Sequence, residues 1–91
     1  MKKLRFSTKA RKDLKRYRNQ PERMRRLFAV IDILLKDERL PEAFKMHGLS
    51  GRYTGCWECH VENDFLLIWR DEEENCLYVL RVGTHSELFG S

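Results

Sequence analysis

The chain has 91 residues, a formal net charge of +4, 42% hydrophobic residues and three cysteines. This length predicts one domain, residues 1–91, with a small core. No apolar run is long enough for a membrane span, and the basic N-terminus lacks the apolar segment of a secretory signal. Because an odd cysteine count does not suit a secreted disulfide framework, we expect a cytoplasmic location.

Positive charge is concentrated at the N-terminal end. Residues 1–26 contain twelve Lys or Arg and two acidic residues, a net charge of +10. Residues 27–91 contain six basic and twelve acidic residues, a net charge of −6. Many charge runs are only solvated helix faces, but a cationic segment of this density attracts a polyanion or an acidic protein. We therefore expect a polyanionic partner.

The first half of the chain predicts one strand followed by two helices. Lys2–Ser7 alternates apolar and basic residues, which is typical of a short strand. Ser7 or Thr8 then caps a helix that ends before Pro21, because proline suits the first turn of a new helix. The second helix is predicted from Pro21 to Lys36. The apolar faces of the two helices are predicted to be Ala10, Leu14 and Tyr17, and then Met24, Leu27, Phe28, Val30, Ile31, Ile33, Leu34 and Leu35.

From Gly51 onward the apolar pattern has a period of two, which predicts three strands. The first carries the alternating residues from Cys56 to Val61. The second is Asp64–Arg70, the charged turn is Asp71–Asn75, and the third is Cys76–Val82. The predicted fold class is α+β: an antiparallel β-sheet with an N-terminal helix pair packed on one face, in the order β-α-α-β-β-β. The first strand is expected to join the sheet beside one of the later three.

The cysteine spacing does not predict a metal site. Cys56 and Cys59 are three residues apart, but in a strand such residues face opposite sides. No second pair follows, and a structural zinc ion needs four ligands. Walker, dinucleotide-binding and G-x-S-x-G motifs are also missing from the sequence. We therefore predict no metal and no cofactor.

All three histidines lie at the ends of predicted elements, which points to proton transfer. His47 precedes the first strand of the hairpin, His60 lies near its end, and His85 follows the last strand. Imidazole exchanges protons near neutral pH, and Asp64 and Arg81 lie close by in the sequence. A base, an acid and a cation at the phosphate suffice to cleave RNA through the neighbouring 2′-hydroxyl without a metal.

Three segments together carry a resemblance to a known family: 47–51 (HGLSG), 59–68 (CHVENDFLLI) and 81–90 (RVGTHSELFG). Over its whole length the chain resembles toxins of the RelE/ParE superfamily, in the YafQ branch of bacterial type II toxin–antitoxin systems. The resemblance implies a RelE-like fold. It also implies a ribosome-dependent mRNA endonuclease, or mRNA interferase, that inhibits translation.

The same resemblance implies roles for individual residues. The catalytic residues would be His47, His60, Asp64 and His85. Arg81 would bind the substrate phosphate, and Phe65 and Phe89 would stack on a base, with Phe65 at a position where some relatives carry tryptophan. The cations expected to contact ribosomal RNA are Lys9, Arg11, Lys12, Lys15 and Arg16.

The implied partners are the ribosome, mRNA and a cognate acidic antitoxin. The antitoxin would bind DNA through a ribbon-helix-helix dimer, so operator DNA would be contacted only through the complex, and no membrane is involved. Two alternatives remain open. The chain could be a gyrase-binding toxin of the same superfamily that does not cut RNA, or a plain RNA-binding module in which the histidines are incidental.

Overall fold

The computed structural model describes residues 1–90 and has an α+β architecture. Five strands form one sheet in the order β1-β5-β4-β3-β2. In chain order the elements are β1 (Lys3–Phe6), α1 (Thr8–Tyr17), α2 (Pro21–Leu35), β2 (His47–Gly48), β3 (Trp57–Glu62), β4 (Phe65–Glu72), β5 (Cys76–Gly83) and α3 (His85–Phe89), with short 3₁₀ turns at Glu42–Phe44 and Gly51–Tyr53. Within residues 1–90, every helix is too short or too polar to cross a bilayer.

The sheet is mixed, because β1 pairs with β5 in parallel whereas all the other pairs are antiparallel. This pairing differs from the wholly antiparallel sheet that the pattern predicts. A parallel pair needs a long connection between its strands. Both long helices and three strands lie between β1 and β5, so the chain has ample length to return in the same direction.

Side-chain chemistry determines where the two long helices begin. Ser7 Oγ accepts a hydrogen bond from the backbone N–H of Ala10 at 2.9 Å and caps α1. The same hydroxyl donates to the carbonyl of Leu80 at 2.6 Å, which fixes the start of α1 against β5. Pro21 occupies the first turn of α2, where its missing N–H costs no hydrogen bond.

The core has two parts, one on each face of the sheet. The larger part lies between the sheet and the α1–α2 pair, and the smaller part lies under α3 and the loop that follows β2. Strand β4 is central and is covered on both faces, which explains why residues 65–69 are apolar without alternation. The largest buried side chains are Trp69, Phe65, Leu27, Ile31, Leu66, Leu67, Ile68, Leu77 and Leu88.

Four details of the prediction differ from the structure. Phe28 is 41% exposed and packs edge-on against Phe6, so it is not a core residue. On α1 the charged Asp13 is more deeply buried than the apolar Leu14. The C-terminal segment forms α3, whereas the pattern predicts a tail. His47 lies in the short edge strand β2 and not in a loop.

Candidate active site

Three imidazoles form a row near one edge of the sheet. His47 lies in edge strand β2, His60 lies in β3, and His85 is the first residue of α3. The ring centroids of His47 and His60 are 6.4 Å apart, and those of His60 and His85 are 5.9 Å apart. The three histidines that the sequence singles out are therefore brought together, with His60 in the middle.

Local structure at the end of β5 places His85 in this row. Thr84 caps α3 and forms a reciprocal capping box with Glu87. Glu87 in turn lies so close to Gly83 that a Cβ there would meet Glu87 Oε1 at 2.6 Å, so only glycine allows this sharp entry into the helix.

Asp64 orients the His85 ring. Its Oδ1 atom accepts from the backbone N–H of His85 at 3.0 Å and contacts Nδ1 of the ring at 2.8 Å. The hydrogen bond from the backbone, followed by that from the ring, holds the pKa of Asp64 below its ordinary value. The carboxylate is thus ionised at neutral pH, and Nε2 of His85 is left as the ring atom that can exchange a proton with a ligand.

His47 has a different environment, because both of its ring nitrogens are engaged. Nδ1 lies 2.8 Å from the carbonyl oxygen of Lys45, which can only accept, so Nδ1 carries a proton. Nε2 lies 3.1 Å from Oε1 of Glu58, the residue directly across the strand pair. The His47 ring therefore bridges the Lys45 carbonyl and the Glu58 carboxyl group.

Glu58 is a buried carboxyl group that the sequence prediction did not include. It is 4% exposed, and among residues 1–90 its Oε2 atom has no hydrogen-bond partner. A buried carboxyl group needs a polar partner, and the His47 ring is the side chain in contact with it. Alternation along β3 puts Glu58 on the same side as His60, which is the only sequence signal that indicates it.

Two aromatic rings extend the histidine row. The centroid of Phe89 lies 6.3 Å from that of His85, and Tyr53 lies 6.0 Å from Phe89 in an edge-to-face arrangement. Phe89 is 41% exposed, so a face of its ring is available to a ligand. Tyr53 was not among the predicted residues.

Phe65 does not fit the predicted role in base stacking. It is fully buried in the helix-side core and packs edge-to-face against Tyr17, with ring centroids 4.7 Å apart. The guanidinium of Arg23 covers the ring at 5.1 Å. Strand alternation turns Phe65 away from the face that carries His60. The prediction that Phe65 stacks on a base is therefore wrong, and Phe65 is a core residue.

Arg81 is held by Asp13 of α1. Its Nε donates to Asp13 Oδ2 at 2.8 Å and its Nη2 donates to Oδ1 at 3.1 Å, while the backbone N–H of Val82 donates to Oδ2 at 3.0 Å. The bond to Asp13 raises the pKa of Arg81, which is therefore permanently charged. Asp13 lies on the buried side of α1, but the predicted apolar stripe of this helix does not indicate that position. The sequence therefore did not predict that Asp13 is the partner of Arg81.

A second set of polar contacts ties α1 to α3. Tyr17 donates its hydroxyl proton to Glu87 Oε1. Burial, and then this hydrogen bond, raise the pKa of Tyr17 to about 12. Burial acts to raise the pKa of Glu87, but the bonds from Tyr17 and Thr84 outweigh it and lower that pKa. The helix that carries His85 is thus anchored by a charged carboxylate.

The outer face of α1 carries the five predicted cations, all of them exposed: Lys9, Arg11, Lys12, Lys15 and Arg16. Arg16 also lies 3.5 Å from carboxylate oxygens of Asp13 and Glu87. Arg16 therefore links this cationic surface to the carboxylates through which α1 contacts β5 and α3.

No cluster of three His, Cys, Asp or Glu side chains within residues 1–90 is arranged to hold a metal ion. The three cysteines are free thiols and are buried. Cys56 and Cys59 pack into cores on opposite faces of the sheet, as their spacing in an extended chain predicts. Burial raises the pKa of the Cys59 thiol to about 12, so it is not a nucleophile at neutral pH.

Comparisons with known proteins agree on one family. Residues 2–90 match the family model described as "Bacterial toxin of type II toxin-antitoxin system, YafQ". The chain is 33% identical over 86 residues to the mRNA interferase toxin YafQ of Escherichia coli K12, covering 93% of this chain and 92% of that protein.

Solved structures of similar proteins extend this agreement to the fold. A metal-bound toxin from Helicobacter pylori superposes with a TM-score of 0.88 and 34% identity, covering 98% of this chain and 100% of that one. YafQ in the DinJ–YafQ complex of E. coli superposes with a TM-score of 0.85 and 30% identity, covering 99% and 100%. The fold is therefore RelE-like, as predicted, and the chain belongs to the YafQ family of toxins from bacterial type II toxin–antitoxin systems.

Proposed function

We propose that this toxin is an mRNA interferase, a ribosome-dependent endoribonuclease that inhibits translation in the cytoplasm by cutting mRNA. The observation that carries the proposal is the row of His47, His60 and His85 beside an ionised Asp64. The E. coli relative is an mRNA interferase by name. A gyrase-binding toxin or a passive RNA-binding module would have no need for three imidazoles within reach of one phosphate.

The chemistry is a transfer of phosphate from the leaving oxygen to the neighbouring 2′-hydroxyl. A base removes the 2′-proton, the 2′-oxygen bonds to phosphorus, and the P–O5′ bond breaks as an acid supplies a proton to the 5′-oxygen. The products are a 2′,3′-cyclic phosphate and a 5′-hydroxyl, and no metal takes part. A positioned base or acid contributes about 10²–10⁴ in rate.

We assign the acid to His85 and the base to His60. Asp64 accepts from Nδ1 of His85 at 2.8 Å and orients the ring, which leaves Nε2 as the atom that would give a proton to the leaving 5′-oxygen. The His60 ring is half-buried and lies between the rings of His47 and His85, and we assign to it the removal of the 2′-proton. A separation of 5.9 Å between the two rings suits opposite sides of one phosphate.

His47, Arg81 and Phe89 complete the proposed site. His47, whose ring contacts the Lys45 carbonyl and Glu58, is proposed to orient the substrate for the acid–base pair. Arg81, whose charge Asp13 balances, is proposed to bind the substrate phosphate as a hydrogen-bond donor. The exposed ring of Phe89 stacks on a base next to the cut.

The cationic face of α1 is proposed to bind ribosomal RNA through Lys9, Arg11, Lys12, Lys15 and Arg16. Each phosphate contact releases counterions, so the affinity for ribosomes should fall steeply with salt. Replacing Lys9, Lys12 and Lys15 with glutamine should weaken ribosome binding without unfolding the protein, because all three side chains are exposed. Equal affinity at several salt concentrations would show that the face is only solvated.

The proposed inhibitor is a cognate acidic antitoxin. The E. coli relative is seen in complex with DinJ. An acidic, initially disordered segment can fold onto a cationic cleft, here over His60, His85 and Arg81. Its other part is proposed to bind operator DNA as a ribbon-helix-helix dimer, so the toxin reaches DNA only through the complex. Hydrogen exchange on the complex tests this, and unprotected amides around those three residues would contradict it.

The acid and base assignments are tested by His85→Ala and His60→Ala. Each variant should lose ribosome-dependent mRNA cleavage by about 10²–10⁴ in rate while staying folded. An mRNA with sulfur in place of the 5′-oxygen at the cut needs no acid, because thiolate is a good leaving group. It should restore cleavage by His85→Ala but not by His60→Ala.

Several outcomes would contradict the proposal. Restoration of His60→Ala instead of His85→Ala would reverse the assignment of acid and base. Full activity of both alanine variants would remove the histidine mechanism. Loss of cleavage in a chelator would show that a metal is required, if a control translation assay shows that the ribosomes are still intact.

A further inference from the structure

A cleft of about 290 Å³ begins at Arg81 of the proposed site, and most of its other lining residues have no role in the chemistry described above. It opens between the start of α1, the turn Gly51–Tyr53 and strand β5. Its lining residues are Ser7, Thr8, Lys9, Arg52, Tyr53, Leu80 and Arg81. None of these residues is acidic, and three of them are cationic.

The lining combines an apolar floor with a cationic rim. Leu80 and the Tyr53 ring are half-buried and present hydrophobic surface, whereas Lys9 and Arg52 are exposed. The charge of Arg81 is compensated by Asp13, so the excess positive charge comes from the two rim residues. Within residues 1–90 neither of these has an acidic partner. Arg52 Nη2 donates to the carbonyl of Leu88 at 3.2 Å, and the guanidinium carbon lies 5.1 Å from the centroid of the Tyr53 ring.

This combination suits a nucleotide. Flat bases bind to aromatic and aliphatic side chains, and phosphates bind to Arg and Lys. The cleft also joins the proposed active site directly, because Tyr53 lies 6.0 Å from Phe89 and Phe89 lies 6.3 Å from His85, measured between ring centroids. A single RNA strand can therefore pass from the histidine row over Phe89 into the cleft.

We propose that the cleft binds a nucleotide of the substrate mRNA next to the cut, with its base against Tyr53 and Leu80 and its phosphate on Arg52 and Lys9. This inference rests on the proposed function. Substrate mRNA is favoured over ribosomal RNA because the cleft continues the aromatic path from His85.

The test uses Arg52, because Lys9 belongs to the surface assigned to the ribosome. Arg52→Gln removes the charge, Arg52→Lys keeps it, and Arg39→Gln is the control for loss of an exposed arginine remote from the cleft. The assay is cleavage of ribosome-bound mRNA over a range of toxin and salt concentrations. It yields the toxin concentration at half-maximal rate and the rate at saturation.

For Arg52→Gln the half-maximal concentration should rise about three- to tenfold, and the slope of its logarithm against log salt should fall by about 0.7, as expected for one lost phosphate contact. The saturating rate should stay within about twofold of wild type, since the acid–base groups are untouched. Arg52→Lys should stay close to wild type, and so should Arg39→Gln. An mRNA with an abasic nucleotide at the flanking position should also bind wild-type toxin more weakly.

Each contrary result has a distinct meaning. If Arg52→Gln behaves like Arg39→Gln, the cleft does not bind the substrate and the proposal is wrong. If only the saturating rate falls, Arg52 acts on the reaction through its hydrogen bond to Leu88 of α3. This result also overturns the proposal. If binding to ribosomes without mRNA in the decoding site weakens equally, the nucleotide is ribosomal. If wild-type toxin cuts no ribosome-bound mRNA, the proposed function itself fails, and this inference fails with it.

Discussion

Removal of the buried carboxylate of Asp13 should destabilise the fold strongly. It accepts hydrogen bonds from Arg81 Nε, Arg81 Nη2 and the backbone N–H of Val82, at 2.8, 3.1 and 3.0 Å. In Asp13→Ala the Arg81 side chain, which is 14% exposed, is left without its counter-charge, and the Val82 N–H is left without an acceptor. Breaking a buried ion pair from one side costs about 3–5 kcal/mol.

This loss is large relative to the stability of a domain of this length, which is on the order of 5–14 kcal/mol. We expect the free energy of unfolding of Asp13→Ala to fall by about 3–5 kcal/mol and the Tm to fall by at least about 12 °C. The assay is urea unfolding followed by the fluorescence of Trp69, which is buried beneath the helices. Arg16→Gln is the matched control, because it removes the exposed partner of the same carboxylate and should cost less than about 1 kcal/mol.

The double variant Asp13→Leu with Arg81→Met separates structure from function. Replacing a buried ion pair by apolar groups of similar volume is often neutral, so stability should return in part, since the Val82 N–H still lacks an acceptor, whereas RNA cleavage should not return. If Asp13→Ala lowers the free energy of unfolding by less than about 1 kcal/mol with an unchanged m value, the reasoning is refuted, and packing alone holds Arg81 in place.

Three further predictions follow from individual side chains. Because the pKa of Tyr17 is raised to about 12, its contribution to stability is complete below pH 10, the ordinary tyrosine pKa, and is lost as the pH rises to 12. Ultraviolet titration should show one tyrosine that ionises at a higher pH than the others. In Glu87→Gln this tyrosine should ionise at a lower pH than in the wild type. Cys59, whose pKa is raised to about 12, should resist alkylation in the native protein and react in urea, and rapid native labelling at this residue by mass spectrometry would contradict its burial. Phe89→Ala should reduce mRNA cleavage without loss of stability. Phe65→Ala should lower the free energy of unfolding by about 3–5 kcal/mol. If urea unfolding shows that Phe89→Ala destabilises the protein and Phe65→Ala does not, the core role of Phe65 is refuted.

The sequence by itself determined most elements of this protein, because local periodicity and capping chemistry are written in neighbouring residues. The alternation in Lys2–Ser7, the cap at Ser7, the proline that starts α2 and the apolar run of β4 all correspond to the observed elements. Helix α3 also has a local signature, since Thr84 and Glu87 have the spacing of a capping box. The family follows from motifs as well, and the three histidines were found as a set.

Only the tertiary structure decided which charged groups meet. Asp64 binds His85, 21 residues away, and Asp13 binds Arg81, 68 residues away. Neither pairing has a local signature, because it depends on how α1 packs on β5 and how the β3–β4 turn meets α3. The same holds for Phe65, whose inward direction follows from the register of β4 and from the helices that cover it. A sequence pattern reports which face a residue shares with its near neighbours, whereas contacts between distant segments are determined by the packing of whole elements.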